Sequence, residues 1–312
     1  MKLLCLFCSL ILGFISYAQT EESDNSIALS VVMPETLEGL DYSQLSKIDT
    51  KVRSIISNYG VGASGYSNNF VIYPKFGIVD QSVVEGGMQN ITVVTVEFSL
   101  FIKQVDNNLM FGSFNKTIKG SGTNKTTALT NAVQLIPVKD KELEKFITGS
   151  KQKIIDYYTK NCDRILSEAT SLNSAGDLEK ALGVLSNVPQ EVPCYEKVKA
   201  KMVEVYKAYV NKQCKQQLNE ANAHIAAQRY NQALTILASI DPSSTCNSDV
   251  KAAISKIESQ VSEKEKRDYE EKMERYKNSV ELEKERINAV RDIAVAYYNR
   301  TQPTYNYLMI IR

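Results

Sequence analysis

The chain has no tryptophan and one histidine, His224, in 312 residues. A lone histidine cannot build a histidine-based metal cluster, and nothing beside it suggests a catalytic triad. Excess charge of either sign is also missing. The net charge of +1 gives none of the basic surplus that marks a phosphate-binding face, so nucleic acid is not an expected partner. Long hydrophobic runs are absent too. The longest, residues 3–15, is short for a bilayer span.

That run reads instead as a secretory leader, residues 1–18. Lys2 precedes it and Ser16-Tyr17-Ala18 supplies the small residues that a signal peptidase recognises. Cleavage is expected after Ala18, with a secreted or periplasmic destination and no integral span afterwards. Cys5 and Cys8 leave with the leader and lie too early in it for a lipid attachment site. The remaining chain holds 36 basic and 36 acidic residues, since Lys2 is the one charge removed.

Four cysteines remain: Cys162, Cys194, Cys214 and Cys246. Each pair spans 32 positions, and adding 52 maps one pair onto the other. The same shift carries Leu166, Glu168, Ala169, Ala181, Leu182 and Leu185 onto Leu218, Glu220, Ala221, Ala233, Leu234 and Leu237. A duplication of this kind selects one pairing of the three possible, in which each copy closes on itself. No Cys-x-x-Cys pair remains for zinc, so the cysteines are expected to be structural, with no cofactor or metal.

Residues 19–138 alternate strand and helix signals. Residues 27–33 form a β-branched apolar run ended by Pro34, and Tyr42, Leu45, Ile48, Val52, Ile55 and Ile56 recur at helical spacing up to Gly60. Residues 70–79 read as a strand in which Pro74 requires an edge or a bulge. In residues 91–105, Thr92, Val94, Val96, Phe98, Leu100 and Ile102 share one face. Asp106-Asn107-Asn108 turns the chain into a hairpin partner carrying Met110, Phe114 and Ile118. Gly120-Ser121-Gly122 ends that strand, and Thr123 or Asn124 caps a helix through Ala128, Leu129, Ala132, Val133 and Leu135. The order implies an α+β fold, a mostly antiparallel sheet with helices on one face.

Lys119-Gly120-Ser121-Gly122 followed by Ala128-Leu129-Thr130-Asn131-Ala132 resembles the envelope domain of the curli-secretion lipoprotein and of the lipoprotein activators of penicillin-binding proteins. That resemblance implies a role beside outer-membrane assembly or cell-wall synthesis, although the lipidated cysteine of those families is missing here. The glycine-rich stretch is not a phosphate loop, because Asn124 stands before Lys125 where the loop needs glycine.

Residues 139–247 are helical, with a kink or break expected at Gly149-Ser150. The two copies each read as a long helix, a turn and a shorter helix. Ala175-Gly176-Asp177-Leu178-Glu179-Lys180-Ala181-Leu182 and Ala227-Gln228-Arg229-Tyr230-Asn231-Gln232-Ala233-Leu234 resemble the turn and second helix of tetratricopeptide repeats. The period is 52 rather than roughly 34, which lengthens the helix joining the copies. Fourteen residues of helix climb about 21 Å from Cys162, and residues 177–187 return about 16 Å, so each bridge ties a hairpin's closing loop to its long helix.

Residues 248–299 read as a long charged helix with a stripe at Tyr269, Met273, Tyr276, Val280, Ile287, Val290, Ala294 and Tyr297, fit to pack along its own chain or a second copy. Glu270-Glu271 lie on its solvated side. Residues 300–312 form an apolar tail with Tyr305 and Tyr307, expected to dock on a sheet edge or on a partner. The expected function is a non-enzymatic binding or scaffold protein for envelope proteins or peptides, since stacked hairpins form grooves for extended chains. The alternatives are a cell-wall glycan hydrolase using paired carboxylates, or a structural subunit that self-associates through its C-terminal helix.

Overall fold

A computed structural model describes residues 27–37, 39–63, 69–85 and 89–259. It is α+β. Strands β1 (Ser30–Val31), β2 (Phe70–Val84), β3 (Ile91–Gln104) and β4 (Met110–Gly122) form one mixed sheet in that order. β1 runs parallel to β2, and the two later pairings are antiparallel. The first strand is shorter than its apolar run, because Leu29 turns its backbone from β2 toward residues 61–63. β2 runs past Val79 to Val84, with a register shift between Ile78 and Asp80. Pro74 lies just beyond the stretch paired with β1, where β2 becomes the edge and a missing N–H does least harm.

The helices lie on one face of the sheet. α1 (Tyr42–Asn58) opens on a capping box in which the Asp41 side chain accepts from the backbone of Gln44, and Gly60 beyond its end takes a φ of +62°. α2 (Lys125–Gln134) is capped by Asn124. It crosses β4 at Gly120 and Gly122, the two positions of that strand end without a side chain. A Cβ on Gly120 would stand 2.2 Å from the Ala128 carbonyl and 2.5 Å from the Ala132 nitrogen, so glycine there is a condition of contact. Val94, Val96, Phe98, Leu100 and Ile102 fill the layer between sheet and helices at 1% exposure or less.

From α3 (Lys141–Ala175) the chain is helical. Of the kink or break expected at Gly149 and Ser150, the break does not occur, since α3 runs on through both; the buried Ser150 hydroxyl donates to the Phe146 carbonyl at 2.6 Å, and Gly112 of β4 leaves room for it. α4 (Leu178–Ser186) folds back on α3. α5 (Tyr195–Ala226) then serves both hairpins, pairing with α4 in its first half and with α6 (Tyr230–Ser239) in its second, and α7 (Asn247–Glu258) closes the described chain.

Among the described residues two hydrophobic clusters result. One runs from Ile27 to Val210 and joins the sheet layer to the first hairpin. The other, from Cys214 to Ile257, belongs to the second hairpin and α7.

Candidate functional site

Each hairpin carries a disulfide between the middle of a long helix and the cap of the next. Cys162 of α3 is bonded to Cys194, the N-cap residue of α5, with Cα atoms 6.6 Å apart. Cys214 of α5 is bonded to Cys246, the N-cap residue of α7, at 6.4 Å. The packing repeats with the bridges. Ala169 and Ala221 are both fully buried, as are Ala181 and Ala233, and these small residues let paired helices approach. Gly176 ends α3 at a φ of +80°, and Gln228, its counterpart 52 positions on, holds +56° without glycine's freedom.

The duplication extends further than the matching letters suggest. Val198, Met202 and Val205 of α5 fall on Val250, Ile254 and Ile257 of α7, and all six are buried. The start of α7 therefore repeats the start of α5. A change of residue type from Met to Ile, amid charged neighbours, hides this in the sequence; buried spacing alone carries it.

Polar contacts join the first hairpin to the sheet. The Gln104 side chain donates to the Tyr158 hydroxyl at 2.7 Å, the Ile27 backbone N–H donates to Glu191 Oε1 at 3.0 Å, and Asn187 Nδ2 donates to Asp106 Oδ2 at 2.9 Å. Asp106 lies on the exposed β3–β4 turn, with Asn69, Gln104 and Asn187 as its polar neighbours. Loss of hydration raises its pKa, and the hydrogen bonds from Asn69 and Gln104 oppose the rise. At the start of α3, Asp140 is held below the usual carboxylate range, first by the backbone N–H of Glu142 and then by Lys116. Tyr206 and Asp241, with 2.8 Å between their oxygens, tie α5 to the loop closing the second hairpin.

A cleft of about 470 Å³ lies between β4 and α3, lined in part by Asn115, Glu142, Lys145 and Lys153. Its mixture of charges suits a polar surface contact. His224 is half-buried in the last turn of α5, and its Nδ1 is buried without a hydrogen-bond partner. Among the described residues no three of His, Cys, Asp and Glu are grouped to hold a metal ion, and no helix is long and apolar enough to cross a membrane. The stretch from Gly120 to Thr126 serves as strand end and helix cap. Tyr269, Met273, Tyr276, Val280, Tyr305 and Tyr307 lie outside the described residues, as do the leader and Glu270-Glu271.

No family model matches the chain, and no curated protein or solved structure matches it either. The class that the geometry defines is an α+β sheet layer extended by two disulfide-bonded helical hairpins. Two such bridges suit an oxidising, extracytoplasmic compartment.

Proposed function

We propose that the protein is a secreted or periplasmic, non-enzymatic binding scaffold of the cell envelope, released from its leader after Ala18. The observation that carries this reading is the repeated construction of the arm. Two hairpins of the same design, each bridged between a long helix and the following cap, spend covalent bonds on holding a helical surface in shape. Helical repeats of this kind, similar in turn and second helix to tetratricopeptide repeats, bind extended or helical segments along their grooves. The resemblance of residues 119–132 to envelope lipoprotein domains adds a direction, toward partners in outer-membrane assembly or wall synthesis. The C-terminal stripe at Tyr269, Met273, Tyr276 and Val280 offers a second contact surface, to such a partner or to another copy.

The mature protein, immobilised with its bridges intact, is expected to retain a defined set of proteins from envelope extract and to release no soluble fragments from purified cell wall. Fragment release with nothing retained would instead establish the glycan hydrolase, and light scattering at twice the chain mass would establish self-association.

A further inference from the structure

β4 is the outer strand of the sheet, paired with β3 on one side only. Antiparallel pairing alternates, so every second residue of an outer strand directs its N–H and C=O away from its partner strand. Ser121 fixes which residues these are, because its N–H donates to Asn131 Oδ1 on α2 at 3.2 Å. The register from Gly112 to Gly122 is unbroken. Ser113, Asn115, Thr117 and Lys119 therefore turn their backbone groups outward too, and all four residues are exposed. Among the described residues no hydrogen bond reaches those groups. A free edge of this length is a template for another strand.

The edge also has a facing wall. α3 runs beside β4 in the opposite direction, as Phe111 meets Tyr157, Phe114 meets Phe146 and Lys116 meets Asp140 in turn. The cleft between them, about 470 Å³, falls within the roughly 300–1,000 Å³ of ligand sites. Ser113 and Asn115 line it together with Gly112 and Phe114, which sets the cleft along the outward edge of the strand. The buried rings of Phe114 and Phe146 form its apolar floor. On the helix side Lys145, Gly149 and Lys153 recur every four residues and share one face. A Cβ at Gly149 would meet nothing within 4 Å, so the wall is open at its centre.

The charges select the occupant. Glu142 is held by Lys116 at 3.2 Å, whereas Lys145 and Lys153 are exposed and form no ion pair among the described residues. The two lysines stand about 12 Å apart along the helix. In an extended chain, residues i and i+4 share a face and lie about 13 Å apart. A chain terminus offers one carboxylate, and this spacing calls for two.

We propose that the cleft binds an extended internal segment of a partner protein, added as a strand to the free edge of β4. Asp or Glu at its positions i and i+4 meets Lys145 and Lys153, and an apolar residue between them rests over Phe114 and Phe146. Main-chain pairing then supplies affinity, and the alternate side chains supply specificity. The site belongs to the sheet layer and is independent of the stapled arm.

The probe is a fluorescein-labelled, C-terminally amidated peptide, Thr-Glu-Thr-Val-Thr-Glu-Thr, titrated into the mature full-length protein and followed by anisotropy. Saturable binding is expected below about 1 mM. It should weaken about ten-fold or more in Lys145→Glu with Lys153→Glu, and likewise in Gly149→Leu, whose side chain fills the open wall. These positions are exposed, and circular dichroism reports that the variants remain folded. Methylating alternate backbone nitrogens of the peptide removes the donors on one side of its strand. One of the two alternate sets is expected to abolish binding and the other to leave it, while the unmodified peptide slows hydrogen exchange at Ser113 and Asn115. No binding at about 1 mM would overturn the proposal. Equal binding by the variants, or of a peptide with its two glutamates adjacent, would overturn it as well, by showing charge attraction without strand addition.

Discussion

Removing the second bridge, by Cys214→Ser with Cys246→Ser, tests whether the two hydrophobic clusters are separate structures. Each bridge closes a loop with the same sequence separation, 32, so loop closure assigns each about 3–4 kcal/mol. The consequences differ because the surroundings differ. The second cluster belongs to a unit of about 45 residues, from Cys214 to Glu258, with twelve buried members, among them several alanines. A core of that size rarely supplies more than roughly 3–5 kcal/mol without a staple, so the bridge carries about half of the unit's stability and its loss leaves the hairpin far less protected than the sheet. Amides around Leu234, Leu237, Val250 and Ile254 are expected to exchange roughly 10²- to 10³-fold faster, the factor equivalent to 3–4 kcal/mol. Amides of Val94, Val96 and Phe98, in the other cluster, should keep their rates. Hydrogen exchange read by mass spectrometry resolves the two regions in one sample. Equal acceleration in sheet and second hairpin would refute the separation of the clusters, and unchanged exchange in the hairpin would refute the staple.

Three further outcomes follow from single positions. Gly120→Ala drives a methyl group into the Ala128 carbonyl and Ala132 nitrogen, both backbone atoms; a loss of about 3 kcal/mol is expected in urea denaturation, and a loss under ~1 kcal/mol would show that β4 and α2 can part at little cost. Gln228→Gly relieves a left-handed residue at +56° and should stabilise the second hairpin by about 0.5–1 kcal/mol, measured as slower local exchange. Asp106 has a raised folded-state pKa, so its contribution to stability is full below the ordinary carboxylate pKa of about 4 and is lost as pH rises through the folded value. Asp106→Asn should therefore gain on the native protein from acid toward neutral pH, and a gap moving in the other direction contradicts the assignment of burial as the cause.

Much of this architecture was legible because its signals are local. The alternation of Val94, Val96, Phe98, Leu100 and Ile102 fixed a strand and its inward face, Asn124 marked a helix start, and the cysteine spacing selected the bridges. What escaped depended on distant partners. The apolar run at residues 27–33 reads as a full strand, yet Leu29 takes its backbone partners at residues 61–63. Gly149 reads as a helix break until Gly112 and Ser150 are seen to be in contact. The polar links Gln104–Tyr158, Asp106–Asn187 and Ile27–Glu191 leave no periodicity, so the fusion of the sheet with the first hairpin could not be read from sequence. The candidate surface is legible only as a repeated frame, since grooves are defined by facing helices rather than by a motif.

The central claim is that the stapled arm is a binding surface, and cross-linking from the arm tests it most directly. Photoreactive residues at Asn219 and Asn222, both exposed on α5, would be introduced into the mature protein with its bridges intact and irradiated with envelope extract. A discrete protein adduct is expected from these positions, lost in the Cys214→Ser, Cys246→Ser variant while the sheet remains folded. No adduct from any exposed position of α5 or α6, or an adduct indifferent to the bridge, would contradict the account.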